Sequence, residues 1–203
     1  MADSMLLNVA RSELILGGQK SGKSRRAEAL AQRWLAQSGA HQAVLIATAQ
    51  AWDDEMRARI ARHQADRAER LPGLRTVEEP LQLARAIQTH SRPDTLIVVD
   101  CLTLWLTNQL MPIDAPQGDA SVLPDEPDLI NKMHVAKLLD AIGQACGPLV
   151  LVGNEIGLGV IPLGAQVRAF VDALGLLNQG VAQVCQRVTL MAAGLPLSLK
   201  DKS

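Results

Sequence analysis

Apolar residues fall into two alternating kinds of segment along this chain. Short, nearly continuous apolar runs bounded by turn residues recur: ELIL (13–16), AVLIAT (43–48), LRTV (74–77), TLIVVD (95–100), PLVLVG (148–153) and RVTLMAA (187–193). Such runs suit strands buried on both faces of a sheet. Between them, apolar positions recur at helical spacing, which predicts helices near 23–37, 53–70, 80–90, 102–110, 129–146 and 166–185. This alternation predicts an α/β fold, a mostly parallel sheet with crossover helices. After the last run, GLPLSLK (194–200) offers a turn at Gly194 and a short alternating strand, hence a C-terminal β-hairpin with an antiparallel edge.

One stretch breaks the pattern. MPIDAPQGDASVLPDEPD (111–128) carries four prolines and five acidic residues without an apolar period, and reads as a mobile loop. It is not a linker, because either half alone has too few strands to close a core. The 203 residues therefore predict a single α/β domain over 1–203, with residues 1–12 as a frayed tail. No internal repeat is present.

Composition narrows the function classes. Lys+Arg number 20 against 21 Asp+Glu, a formal charge of −1, so net charge draws the chain toward neither nucleic acid nor an anionic membrane. Aromatic content is 2 %, with Phe170 the sole Phe and no Tyr, so base-stacking platforms are scarce. No segment approaches the roughly 18 apolar residues of a membrane span, and the N-terminus lacks a signal-peptide core. Cys101, Cys146 and Cys185 stand far apart with no C-x-x-C pair, which argues against a disulfide framework or a zinc site and for a cytoplasmic protein.

GGQKSGKS, comprising Gly17, Gly18, Gln19, Lys20, Ser21, Gly22, Lys23 and Ser24, matches G-x-x-x-x-G-K-[ST] between a predicted strand and a predicted helix. In such a loop, glycines let backbone N–H groups converge on phosphate oxygens, and the helix N-terminus adds partial positive charge. Lys23 would bridge the outer phosphates and the Ser24 hydroxyl would hold Mg²⁺. A nucleoside triphosphate is implied. Asp100 ends TLIVVD and would lie beside the loop, where an acid can hold the metal or take a proton from an acceptor hydroxyl. The blander alternative is a cap for the helix that follows. No N-K-x-D guanine-reading signature occurs, and the length leaves no room for a lid or helicase domain, so a small-molecule transferase leads.

In DDEMRARIARHQADR (53–67), helical spacing lines up Met56, Ile60 and His63 on one side, and Glu55, Arg59 and His63 at successive i+4 steps. Periodicity alone does not separate His63 from a solvated surface residue. Taken with the phosphate loop, however, D-x-E-M-x-x-R-I-x-x-H and the later N-E-x-G-x-G-x-x-P in GNEIGLGVIP (153–162) resemble the bifunctional adenosylcobinamide kinase/adenosylcobinamide-phosphate guanylyltransferase family of cobalamin biosynthesis. IATAQ (46–50), RTVEEP (75–80) and VVDCLTLWLTNQL (98–110) match in order as well.

That resemblance implies a P-loop NTPase fold with a RecA-like parallel sheet, commonly assembled as a homotrimer. It implies that His63 becomes guanylylated, and that nucleotide contacts come from Thr48, Ala49 and Gln50, from Gln64, Ala65, Asp66 and Arg67, from Glu78 and from Asp100. The cofactors implied are GTP, ATP and Mg²⁺, the metal held through Ser24 and Asp100, and the substrate is a corrinoid. In the implied chemistry, Lys23 and Asp100 organise phosphorylation of adenosylcobinamide, and His63 then passes GMP to the new phosphate. A neutral imidazole suits that role because a phosphoramidate transfers its nucleotidyl group readily. Arg59, one turn away, would disfavour the imidazolium, and Arg59 and Arg67 would offset phosphate charge.

The match thins after Pro162. Arg168, Phe170, Asp172, Gly175, Asn178 and Gln179 fit the family, whereas Leu163, Gly164, Val171 and Leu176 replace polar or charged members, two of them arginines. Asn154 and Glu155 should reach the same carboxyl-end crevice. Two rival readings stay open on the residues alone: a single-function phosphate-loop kinase, and a nucleotide-switch binding protein.

Overall fold

The computed structural model describes residues 8–51, 54–111 and 127–202; for residues 56, 59, 60, 63, 64, 66–68 and 127–130 the description is of the backbone alone. All seven described strands join one sheet: β1 (Ser12–Gly17), β2 (Gln42–Ala47), β3 (Leu74–Glu78), β4 (Thr95–Asp100), β5 (Leu149–Val152), β6 (Arg187–Ala192) and β7 (Leu195–Asp201). Their order is β3-β2-β4-β5-β1-β6-β7. Every neighbouring pair is parallel except β6 and β7, which form the expected antiparallel hairpin with a register shift between Val188 and Thr189.

The helices are α1 (Lys23–Gln37), α2 (Asp54–Arg70), α3 (Leu83–His90), α4 (Leu102–Leu110), α5 (Pro127–Gln144) and α6 (Ala165–Val184). Because helices cover both faces, β1, β4 and β5 are buried throughout or nearly so, which is why their sequences read as unbroken apolar runs. On one face Ala27, Leu30 and Ala31 of α1 meet Ile15, Leu45, Val98 and Val150. On the other, Leu83 and Ile87 of α3, Trp105 of α4, Leu138 of α5 and Leu174 of α6 close over Leu14, Ile46, Val99 and Leu151. Alternate strand residues thus feed opposite cores.

Three boundaries differ from the sequence reading. The helix expected from residue 80 begins at Leu83, because the Glu79 carboxylate (Oε1) accepts the N–H groups of Leu81 (3.0 Å) and Gln82 (2.8 Å) and holds a turn there. The helix expected from residue 129 begins at Pro127, whose missing N–H costs nothing at a first helical position. The acidic, proline-rich segment therefore ends earlier than expected, and residues 112–126 of it lie outside the described residues. Finally, the last part of the expected frayed tail is docked: the Arg11 N–H donates to Gln186 Oε1 (2.9 Å), its guanidinium to the Gly143 carbonyl (3.0 Å), and its carbonyl accepts from Leu149 N–H (3.0 Å). Residues 1–7 of that tail lie outside the described residues.

Beneath the sheet's amino end sits a buried charge network. Glu13, fully buried, accepts from Arg26 Nε (2.9 Å) and the Thr189 hydroxyl (2.8 Å), with Arg187 Nη1 at 3.5 Å. Arg26 lies one turn beyond the start of α1, so this carboxylate joins the helix that follows the phosphate loop to the strand that precedes it.

Candidate active site

The carboxyl ends of the parallel strands form one edge, where the phosphate loop, the turn at Thr48, Asp100 and the turn at Asn154 come together. Gly17 ends β1 and the loop turns through Gly18, Gln19, Lys20, Ser21 and Gly22 into α1. Two glycines are required by space and backbone. A Cβ on Gly17 (φ 155°) would lie 2.5 Å from the Met191 carbonyl oxygen and 2.6 Å from Ser21 Oγ, and Gly22 (φ 100°) caps α1 in the left-handed region. The hairpin turn supports the loop from outside, since Gly194 N–H donates to the Ser21 carbonyl at 3.0 Å. Gly17→Ala is expected to abolish saturable nucleotide binding while the far-ultraviolet circular dichroism stays folded; retained affinity would show that the loop tolerates the added methyl.

Lys23 is buried and its ammonium donates to the Gly18 carbonyl at 2.6 Å, inside the loop it serves. Burial lowers its pKa from the ordinary 10.5, while Cys101 and Asp100 act in the opposite direction. The Cys101 thiol is itself pushed up to about 11 by burial, so at neutral pH the counter-charge is the Asp100 carboxylate. Phosphate oxygens bind the charged ammonium. Nucleotide affinity should therefore begin to fall on the acid side of 10.5 as Lys23 loses its proton, with proton uptake on binding in that range. Calorimetry in two buffers of different ionisation enthalpy checks this, and a pH-independent affinity up to 10.5 would contradict it. Ser24 is exposed at the second position of α1.

Asp100 ends β4, two strands from β1, with β5 between them. The Asp100–Cys101 peptide is cis and Thr48 encloses it: Thr48 N–H donates to the Asp100 carbonyl (3.1 Å), and the Thr48 hydroxyl donates to the Cys101 carbonyl (2.7 Å) and accepts from Cys101 N–H (2.9 Å). The Thr48 carbonyl accepts from Asn108 Nδ2 at 2.8 Å. With 0 % exposure and all these groups engaged, Thr48 orients the turn, and Ala49 and Gln50, partly exposed, are the members of TAQ that face outward. Glu78 is exposed at the end of β3, paired in register with Ala47.

His63 lies in α2, nine residues from its first residue, about 14 Å along the axis. The side chains of His63, Gln64, Asp66 and Arg67, and that of Arg59, lie outside the described residues; Ala65 is exposed. Asp53 also lies outside them. The described side chains of α2 are all exposed, as its run of charge requires, and none of its described residues joins either core.

Asn108 and Thr103, which help to organise this edge, were not singled out by sequence reasoning, whereas Asn154, Glu155 and Asn178 were. Asn108, 1 % exposed, donates to the Thr48 and Pro80 carbonyls at 2.8 and 3.2 Å, so α4 clamps the turns after β2 and β3. Thr103 Oγ1 accepts from Asn154 N–H (2.9 Å), and Asn178 Nδ2 donates to the Asn154 carbonyl (3.1 Å). Glu155 N–H donates to the Gly17 carbonyl at 3.1 Å, tying the turn after β5 to the phosphate loop. The available signal was an asparagine among the buried positions of CLTLWLTNQL, since a buried amide in an apolar helix face needs backbone partners.

Oxygen donors suit Mg²⁺, and Ser24 and Asp100 supply a hydroxyl and a carboxylate. Among the described residues there is no cluster of three or more His, Cys, Asp or Glu side chains that could hold a metal. That donor set fits a cation carried chiefly by nucleotide phosphates and completed by one or two protein oxygens.

Comparison with known proteins agrees with this arrangement. The family described as cobinamide kinase / cobinamide phosphate guanyltransferase matches residues 13–199. The chain is 47 % identical over 190 residues to a bifunctional adenosylcobalamin biosynthesis protein of Pseudomonas aeruginosa, covering 94 % of this chain and 98 % of the relative. It is 35 % identical to counterparts so described in Escherichia coli and Salmonella typhimurium, each covering 92 % of this chain and 98 % of the relative. A solved protein from Pyrococcus horikoshii OT3 superposes with a TM-score of 0.56 at 8 % identity, covering 100 % of this chain and 92 % of that one, a likeness of fold alone.

Proposed function

The chain belongs to the cobinamide kinase / cobinamide phosphate guanyltransferase family, and from that premise we propose how its residues divide the two transfers. The observation that carries the reading is the Gly17–Ser24 loop and Asp100 on one sheet edge, with the helix bearing His63 entering from the neighbouring strand. In the kinase step, the hydroxyl of the aminopropanol arm of adenosylcobinamide attacks the γ-phosphorus of ATP or GTP. The bond to the nucleoside diphosphate breaks, Asp100 accepts the hydroxyl proton, and Lys23 offsets charge on the phosphates. Mg²⁺ held by Ser24 and Asp100 would neutralise phosphate charge when bound.

In the second transfer, neutral His63 attacks the α-phosphorus of GTP, a P–N bond forms and pyrophosphate leaves. An oxygen of adenosylcobinamide phosphate then attacks the same phosphorus, the P–N bond breaks, and adenosyl-GDP-cobinamide is released with His63 neutral again. Ala49, Gln50, Glu78 and the segment Gln64–Arg67 contact the nucleotide in this reading. The bifunctional relatives favour two activities over a single-function kinase or a nucleotide switch.

Incubation with α-labelled GTP and Mg²⁺ followed by denaturation tests the second step. Label is expected to survive denaturation, to be released by acid and to vanish in His63→Ala; no adduct on folded wild-type protein would sink the guanylyl-histidine assignment.

A homotrimer is part of the same proposal. Leu195, Leu197 and Leu199 are exposed along the edge strand β7, the kind of surface that proteins usually cover. Light scattering should give three times the chain mass, with Leu197→Glu lowering it. Among the described residues no helix is long and apolar enough to cross a membrane. All three cysteines are free, which supports the cytoplasmic location we infer.

A further inference from the structure

Resting on the cobinamide reading above, we infer that the segment from Ile156 to Leu163 is the docking surface for the corrin macrocycle. Its position comes from topology. β5 lies between β1, which carries the phosphate loop, and β4, which ends at Asp100, so the chain leaving β5 emerges between the two groups that organise phosphoryl transfer. Glu155 N–H on the Gly17 carbonyl (3.1 Å) sets the start of the segment against the phosphate loop. A substrate much larger than the group it receives must rest next to that loop while one arm reaches in.

The surface has matching chemistry. Leu158, Val160, Ile161 and Leu163 are 81, 95, 77 and 98 % exposed. No charged residue occurs from Ile156 to Val167. Exposed apolar side chains this contiguous mark a binding surface more often than bare solvent contact. Between Leu158 and Ile161 no backbone N–H or C=O is hydrogen-bonded among the described residues. A corrin offers apolar faces and a rim of neutral amides, so apolar side chains and open backbone groups complement both without a charge to desolvate. The ends of the segment are pinned: Asn154 is held by Thr103 and Asn178, and Arg168 Nη1 donates to the carbonyls of Pro162 (2.9 Å) and Leu163. The platform is therefore anchored at both ends.

The test is the variant Leu158→Ser/Leu163→Ser, with each single change beside it. The double variant is expected to raise the KM for cobinamide in the kinase assay by at least about 10-fold, since each lost apolar contact is of that order. The kcat, the rate of self-guanylylation by GTP without corrinoid, and the mass by light scattering should match wild type. An unchanged KM overturns the inference. So does a fall in mass, which would assign the segment to contact between copies of the chain, or an equal loss of self-guanylylation, which would make its role structural.

Discussion

Lys23→Met is expected to lower the phosphorylation of cobinamide about 100- to 1,000-fold, the range for removing one preorganised charge-stabilising donor. Methionine keeps the length and apolar stem of lysine but cannot meet charge that develops on the phosphates. The protein should remain folded, because the one described hydrogen bond of the ammonium goes to the Gly18 carbonyl, and Gly18 is exposed to water. Relieving a buried charge should leave thermal stability equal or slightly higher. Formation of the guanylyl adduct should fall as well, since in the proposed second transfer pyrophosphate leaves from the same loop. Steady-state kinetics together with a melting curve decide the matter: near-normal turnover would remove Lys23 from the phosphate site, and a large loss of stability would make the kinetic loss uninformative about chemistry.

The second large effect concerns stability. Glu13→Ala is expected to cost about 3–5 kcal/mol, the penalty for removing one partner of a buried ion pair. The two cations beneath the sheet are affected unequally. Arg187 retains Asp201 at 3.1 Å, whereas Arg26, 7 % exposed, loses the carboxylate that holds its Nε at 2.9 Å. The Thr189 hydroxyl loses its acceptor too. For a chain of this size such a loss lowers Tm by roughly 6–20 °C and removes a large share of the usual 5–15 kcal/mol. Replacing Glu13 and Arg26 together by apolar residues should recover much of that loss, because no unpaired charge remains. Chemical denaturation of the single and double variants measures the difference, and an additive double variant would show that the pair is not coupled.

Much of the fold was legible because parallel strands buried on both faces have to be apolar throughout. ELIL, TLIVVD and PLVLVG could hardly be anything else between helical segments. The hairpin was legible from Gly194 and the alternation after it. Boundaries were less so: the start of α3 depends on the Glu79 carboxylate reaching back to two N–H groups, an interaction with no periodic signature. Among site residues, Gly17, Gly22, Lys23 and Asp100 declare themselves by spacing. Thr48 belonged to a recognisable motif, yet its atoms serve the Asp100–Cys101 backbone, which lies 53 residues away in sequence from the threonine. Asn108 gave little notice, because its partners are carbonyls on other turns.

The amino-acid sequence by itself determined the element types, the phosphate loop and the family, since each rests on local spacing: apolar runs, glycines where backbone must approach phosphate, and a histidine in a specific run of neighbours. Tertiary structure alone decided that β5 enters the sheet between β1 and β4, so that the exposed segment after it follows a turn tied to the phosphate loop. It also decided that Glu13 and Arg26 meet under the sheet. Strand order and buried charge pairing are long-range choices, set by which helices cover which face and by the cost of leaving a charge unpaired. No local pattern of residues encodes either one.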